Sequence, residues 1–433
     1  MDKKRIDVIS LGCSKNLVDS ERLLKQLELS GFQAFHNSDN VDGDIVIINT
    51  CGFIGDAKEE SINTILTYAE AKNEGRIKEL YVMGCLSERY RDDLLAEIPE
   101  IDRIYGKFDW VNIVSDIIKR NPAIMPYDRV ITTPSHYTYL KIAEGCNRFC
   151  AFCAIPLITG RYKSRPIEEI LEEVRILVGK GVKEFNVIAQ DLSSYGLDIY
   201  KRLALPELID RMAEIDGVKW IRLHYAYPSE FPYEILDVMA RHSNVCNYLD
   251  IALQHINNDV LKNMRRHITK EETLALIRTI RGKVPVIHIR TTLMVGFPGE
   301  TEDAFNELKE FVREAKFERM GAFAYCEEDD TYAAKNFSDS IPQEVKESRL
   351  KKIMAIQEDV ALESNQSKIG KTMTVVIDRE EPDYFVGRTE FDSPEVDPEV
   401  LIDKDDRLTV GNFYDVEITD ALPFELMAKL KDF

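Results

Sequence analysis

Short apolar runs alternate with amphipathic, helix-forming stretches in two long series along this 433-residue chain. An apolar run of strand length flanked on both sides by helices is a strand covered on both faces, so the pattern dictates parallel sheets rather than hairpins. In the first series, Ile6–Leu11, Asp44–Asn49 and Leu80–Met83 are predicted strands. They are separated by predicted helices at Val18–Leu29, ended by Gly31, and Lys58–Lys72, with further helical sequence from Glu88. Pro122, Pro126 and Pro134 mark a linker over 121–138. The second series predicts strands at Tyr139–Ala143, Glu184–Ala189, Trp220–Tyr225, Tyr248–Leu253, Val286–Val295 and Met320–Tyr325. Helices at Ile167–Val178, Asp259–Arg281 and Glu302–Lys316 lie among them. Six βα units are too few to close an eight-stranded barrel, so an open partial barrel is expected, with its chemistry at the carboxyl ends of the strands. A connecting helix over 341–367 leads to short Val-, Thr- and Tyr-rich strands broken by Asp, Pro and Gly, which predict a small β-barrel over 368–433. The expected class is α/β, with domains at 1–120, 139–340 and 368–433.

No apolar run reaches the roughly 18 to 20 residues that span a bilayer, and the chain opens directly into a strand pattern, so a cytoplasmic protein is expected. With 56 basic and 76 acidic residues the net charge is −20. Nucleic-acid binding is largely a contact with phosphate, so DNA is disfavoured and a basic protein is the better partner. Nothing in the pattern demands more than a monomer.

Eight cysteines, in a chain without a secretory pattern, point to metal or redox chemistry rather than disulfides. Cys13, Cys51 and Cys85 each end one of the first three predicted strands, so one sheet edge receives three thiols. Cys146, Cys150 and Cys153, spaced CxxxCxxC directly after the first strand of the second series, can wrap three corners of a cubane iron–sulfur cluster and leave one iron open. A structural zinc site closes with four ligands, and no nearby Cys or His supplies the fourth. Cys246 and Cys326 have no partner at ligand spacing and are expected to be structural thiols.

The CxxxCxxC loop, with Phe152 before its third cysteine, resembles the signature of the radical S-adenosylmethionine superfamily. With Cys13, Cys51 and Cys85 ahead of it, the whole chain resembles the methylthiotransferases of that superfamily, and its last part resembles a TRAM domain. Leu253-Gln254, Val260-Leu261-Lys262-Asn263-Met264-Arg265-Arg266 and Gly296-Phe297-Pro298-Gly299-Glu300-Thr301 agree with the resemblance. It implies two [4Fe–4S] clusters, one on each cysteine triad, and S-adenosyl-L-methionine bound at the open iron of the second. It further implies reductive cleavage of that cofactor to a 5′-deoxyadenosyl radical, with sulfur held at the first cluster and a second cofactor molecule as methyl donor. A reductant protein is then needed, and no side chain is required as a catalytic acid or base.

Val8–Glu21 and Asn49–Ile54, together with Gln254-His255, resemble the branch that acts on the β-carbon of an aspartate in small-subunit ribosomal protein S-twelve, free or assembled. The tRNA adenosine branch is the alternative, and an iron–sulfur electron carrier or cluster scaffold is an alternative of another class. From Lys368 onward 8 basic residues face 17 acidic ones, a net charge of −9. Such a surface repels tRNA and attracts a basic protein, which makes Asp378, Glu380, Glu381, Asp383, Asp403, Asp405 and Asp406 candidate substrate contacts. A merely solvated acidic face is the plainer reading. Candidate cofactor contacts are Phe152, Gln190, Arg290, Gly296 and Gly299, with Asp191 beside Gln190. Local packing for Phe152, an ordinary strand-to-helix turn for the glycines and a structural ion pair for Arg290 are the competing readings. The segment Cys326-Glu327-Glu328-Asp329-Asp330-Thr331 departs from the family pattern near the same edge.

Overall fold

In a computed structural model, residues 4–39, 43–53, 55–107, 109–119 and 127–431 are described. Pro122 and Pro126 of the predicted linker lie outside them. The first sheet contains β1 (Arg5–Ser10), β2 (Gln33–His36), β3 (Ile45–Thr50), β4 (Glu79–Gly84) and β5 (Arg103–Ile104). They are all parallel, in the order β2-β1-β3-β4-β5. Every residue of β3 is buried, as its unbroken apolar run requires. The edge strand β2 alternates exposed and half-buried positions and β5 has two residues, so neither carries an apolar run that the sequence could show.

The second sheet runs β13-β12-β11-β10-β9-β6 and is again parallel. Its strands are β6 (Tyr137–Lys141), β9 (Glu184–Ile188), β10 (Trp220–Ala226), β11 (Val245–Ile251), β12 (His288–Val295) and β13 (Arg319–Ala324). Between β6 and β9, the short antiparallel pair β7 (Ala143–Glu144) and β8 (Lys163–Ser164) closes the base of the loop that carries Cys146, Cys150 and Cys153. The largest apolar core lies between this sheet and its helices, including Ile170, Val174, Leu208, Ile235, Ile280 and Leu308. The predicted helix Asp259–Arg281 is instead two helices, Asn258–Asn263 and Lys270–Lys283. Arg265 and His267 between them take φ of +58° and +53°, and Thr269 with Glu272 forms a capping box that starts the second helix. Helix Gln343–Gln366 then leads to a closed barrel in the order β14-β15-β16-β18-β17. These are Thr372–Glu380 (β14), Tyr384–Thr389 (β15), Glu399–Asp403 (β16), Phe413–Leu422 (β17) and Glu425–Leu430 (β18).

Buried ion networks hold the three parts together. On the first part, Glu21 meets Arg129, whose Nε also reaches Glu173 Oε1 at 3.0 Å, and Asp19 pairs with Lys141 of β6. The closed barrel docks on the amino-terminal ends of the second sheet. Glu184, which begins β9, accepts Arg222 Nε at 3.1 Å and both terminal nitrogens of Arg388 from β15 at 3.0 and 2.8 Å. Arg388 Nε continues to Asp378 Oδ2 at 2.6 Å, and Asp378 Oδ1 lies 2.7 Å from His136 Nε2. Trp220 against Phe413, at 4.8 Å between centroids, and His288 stacked on Phe391 at 4.1 Å complete the contact. Asp378, expected among the substrate contacts, therefore belongs to an interdomain ion network and is not offered to a partner. Its pairing outweighs burial, which alone would raise its pKa, and holds the carboxyl at about 2.

A carboxyl depressed in the fold stabilises it fully above the unfolded value of about 4 and loses that contribution as pH falls toward 2. The urea midpoint is expected to drop as pH falls through that window, less steeply in Asp378→Asn.

Candidate functional site

With the amino-terminal ends of β9 to β13 covered, the chemistry-bearing residues collect at the carboxyl ends. Cys13 follows β1 and precedes helix Ser14–Leu29, Cys51 follows β3, and Cys85 begins helix Cys85–Arg89 after β4. Since β1, β3 and β4 are neighbours in the sheet, the three thiols arrive side by side. Gly12, at φ +84°, allows the closest approach: a Cβ there would lie 2.6 Å from Cys51 Cβ and 2.8 Å from its Sγ. Asn16 ties the edge together. Its Nδ2 donates to Leu11 O (3.2 Å) and Thr50 O (3.0 Å), and its Oδ1 faces Cys85 Sγ at 3.7 Å. Burial pushes the Cys85 thiol up to about 11 and raises Cys51. Cys13 is exposed; desolvation by its neighbours pushes its thiol upward, but the positive charges of Lys15 and Lys107, with the backbone N–H groups of Asn16 and Lys15, outweigh it and the net shift is down.

The second triad sits on the loop after β7. Gly145, at φ +74°, starts it where a Cβ would lie 2.2 Å from Arg161 O, so no side chain fits. Arg148 pins the loop by donating to Asp191 Oδ2 (2.7 Å), Ser194 Oγ (3.1 Å) and Glu230 Oε2 (2.7 Å) while stacking over Tyr227. The backbone of Ala151 is held between Met264 O (2.9 Å) and Ala333 N (2.7 Å). Cys150 Sγ accepts from Arg266 Nη1 at 3.3 Å and lies 3.8 Å from the Tyr227 hydroxyl. Burial pushes Cys146 up to about 12 and raises Cys153.

Cys85 packs with Ala154, which directly follows Cys153, and with Ile158, one helical turn further on. The carboxyl edges of two separate sheets thus face each other, and the two triads share one interface. Among the described residues, no three His, Cys, Asp or Glu side chains converge closely enough to hold a single metal ion. Cubane ligands stand on separate iron atoms and are more widely spaced. Three thiols per loop set, with Arg266 or Lys107 facing a sulfur, form a donor set suited to an anionic iron–sulfur centre. Gln254 adds a second sign of a polar ligand. It is 8% exposed at φ +71° just beyond β11, and its Oε1 has no hydrogen-bond partner.

The other expected residues divide. Phe152 packs edge-to-face on Phe297 at 6.4 Å, over an apolar cluster with Met264, Met294 and Tyr325. Gln190 lies half-buried beyond β9, and Asp191 orients Arg148. Arg290 lies 3.6 Å from Asp250 and 3.3 Å from Asp397, the structural pairing that was its alternative. Gly296 (φ +75°) packs where a Cβ would lie 2.4 Å from Lys346 Cγ, and its N–H donates to Glu300 Oε2 at 2.7 Å. Gly299 (φ +89°) approaches Asn263 Nδ2. Cys246 is buried among Trp220, Tyr248 and Val376, and Cys326 is exposed.

On the closed barrel, Glu380, Asp383, Asp403 and Asp406 are exposed and Glu381 and Asp405 half-exposed around the β14–β15 turn and the end of β16, which pair through Tyr384 and Asp403. Arg379, Lys404 and Arg407 neutralise part of this cluster through Glu381, Glu380 and Asp405. The sequence alone did not assign roles to Asn16, Lys107 and Arg266. Only the broken helix after Asn263 carries Met264 O and Arg266 to the cysteine loop.

Three family models match: the radical SAM superfamily over residues 140–312, the uncharacterized protein family UPF0004 over 5–106 and the TRAM domain over 369–430. Curated relatives named ribosomal protein uS12 methylthiotransferase RimO align along the full length. That of Bacteroides thetaiotaomicron is 60% identical over 431 residues, 99% of each chain, and that of Porphyromonas gingivalis is 56% identical over 434 residues, all of both. Among solved structures, the radical S-adenosylmethionine methyltransferase TsrM of Kitasatospora setae, with cobalamin and a [4Fe-4S] cluster bound, superposes with TM-score 0.57 at 15% identity. That match covers 77% of each chain and shows a shared fold.

Proposed function

The chain belongs to the RimO family of ribosomal protein uS12 methylthiotransferases, and from that premise we propose that it adds a methylthio group to an aspartate β-carbon of the basic ribosomal protein. The packing of Cys85 on Ala154 and Ile158, which sets the first triad's sheet edge against the segment that follows Cys153, is the observation that carries this reading. Cys146, Cys150 and Cys153 would hold one [4Fe–4S] cluster with S-adenosylmethionine, and Cys13, Cys51 and Cys85 a second. When bound, these groups supply a hydrogen abstractor strong enough for an unactivated carbon, and the sulfur and methyl that replace the hydrogen. The protein's part is placement. Gly12, Asn16 and Gly145 set the thiols, Arg148 and Asp191 fix the second loop, and Arg266 offers a cation to Cys150. Gln254 Oε1 is left to accept a hydrogen bond from a ligand donor. Bringing both centres to one interface replaces a chance encounter by a held geometry.

Glu380, Asp383, Asp403 and Asp406 stand on the closed barrel, which docks at the opposite ends of the strands from the cysteines. We assign them to long-range attraction of the basic protein rather than to contact with the reacting group.

The test is an anaerobic competition in which reconstituted protein receives S-adenosylmethionine, sulfide, a reductant, purified ribosomal protein uS12 and unmodified tRNA. Mass spectrometry should find the methylthio group on an aspartate of the protein. Its appearance on tRNA would overturn the substrate and favour the other branch. A combined Asp383→Lys, Asp403→Lys, Asp406→Lys variant should raise KM for uS12 several-fold at low salt and leave the yield at saturation unchanged.

A further inference from the structure

Lysine is rarely buried without an anion to face, and Lys107, 1% exposed, turns its amine to Cys85 Sγ at 3.7 Å. The placement is built into the local fold. Helix Cys85–Arg89 begins with the cysteine, and its Ser87 Oγ donates to Tyr105 O at 2.8 Å. Its Glu88 Oε2 accepts the Lys107 backbone N–H at 2.9 Å. Gly106 lies so close that a Cβ would stand 2.3 Å from Glu88 Oε2. The helix that starts at Cys85 therefore pins the backbone of the lysine that returns to Cys85. Asp19, on the helix that follows Cys13, and Glu144, across the interface, add negative charge near the amine, and both pair with Lys141. Arg266 on Cys150 gives the second triad the same arrangement, one buried cation on one ligand sulfur.

We propose that Lys107 is a positioning residue that raises the reduction potential of the cluster held by Cys13, Cys51 and Cys85, an inference that rests on the cluster reading above. One-electron reduction adds a negative charge to an iron–sulfur cluster. A fixed cation donating to a ligand sulfur stabilises the reduced form more than the oxidised one, and hydrogen bonds and net charge are the protein's levers on such potentials. Lys15, stacked on Tyr225 at 3.7 Å, adds a second positive charge near Cys13.

The experiment uses full-length protein in which Cys146, Cys150 and Cys153 are all Ala, so that only the first triad can be loaded with iron and sulfide. Its cluster is titrated with dithionite, one electron per cluster, and followed by electron paramagnetic resonance. Lys107→Met should shift the midpoint to more negative potential, and Lys107→Arg should restore most of the shift. Should Lys107→Met fail to fold, Lys107→Gln, which keeps a polar group without the charge, carries the same comparison. A loaded neutral variant with an unshifted midpoint overturns the role of Lys107 alone. A triple-Ala parent that takes up no iron overturns the cluster reading, and the inference with it.

Discussion

Cys150→Ala is expected to abolish reductive cleavage of S-adenosylmethionine, whereas Cys51→Ala is expected to leave cleavage intact and stop methylthio transfer. The split follows from the placement of the two thiols on different sheets. Cys150 lies on the loop after β7 with Arg266 on its sulfur, and Cys51 lies after β3 against Gly12. Losing one of three thiolates from a loop leaves too few ligands for a cubane with an open corner. The remaining triad keeps its own loop, glycine and cation. Chromatographic measurement of 5′-deoxyadenosine and mass spectrometry of the ribosomal protein separate the two effects, because each variant should fall to background in a different assay. Cys246→Ala is the control, since Cys246 sits at the docked end of the strands beside Trp220, and it should retain both activities. Normal methylthio transfer by Cys51→Ala would remove the first triad from the sulfur chemistry.

Arg388→Met should cost the fold about 3–5 kcal/mol, the range for removing one partner of a buried ion pair. Glu184 and Arg222 are fully buried and Arg388 is 2% exposed. Taking away the Arg388 charge leaves Glu184 with Arg222 alone and Asp378 with His136. The penalty is the uncompensated buried carboxylates, not the lost attraction, so Arg388→Met combined with Glu184→Gln and Asp378→Asn should recover much of it. Urea unfolding near neutral pH measures the loss. Limited proteolysis should show the closed barrel released before the rest, because Arg388 belongs to its β15 and Glu184 to β9. A loss below about 1 kcal/mol would place the docking energy in the Trp220–Phe413 and His288–Phe391 contacts instead.

Strands such as β3 and β9 were legible because burial on both faces demands unbroken apolar runs, whereas β2 and β5 were not, being an exposed edge and a two-residue strand. The predicted single helix over Asp259–Arg281 failed at Arg265 and His267. Neither is a glycine, and the neighbouring Met264 and Arg266 are tied to the distant cysteine loop at Ala151 and Cys150. The acidic composition of the last 66 residues was equally plain, but composition does not say which carboxylates face water. Asp378 went inward because Arg388 and His136 were there to meet it.

The sequence by itself determined the six thiols, their delivery to the carboxyl ends of strands and the alternation that builds two parallel sheets, because each follows from local spacing and burial. Tertiary structure alone decided that the two edges face each other through Cys85, Ala154 and Ile158. It also decided that Lys107 and Arg266 each reach a cysteine sulfur and that Asp378 is spent on docking. These depend on residues tens to hundreds of positions apart meeting in space, and buried charges choose their partners only when the packed sheets leave them no water to face.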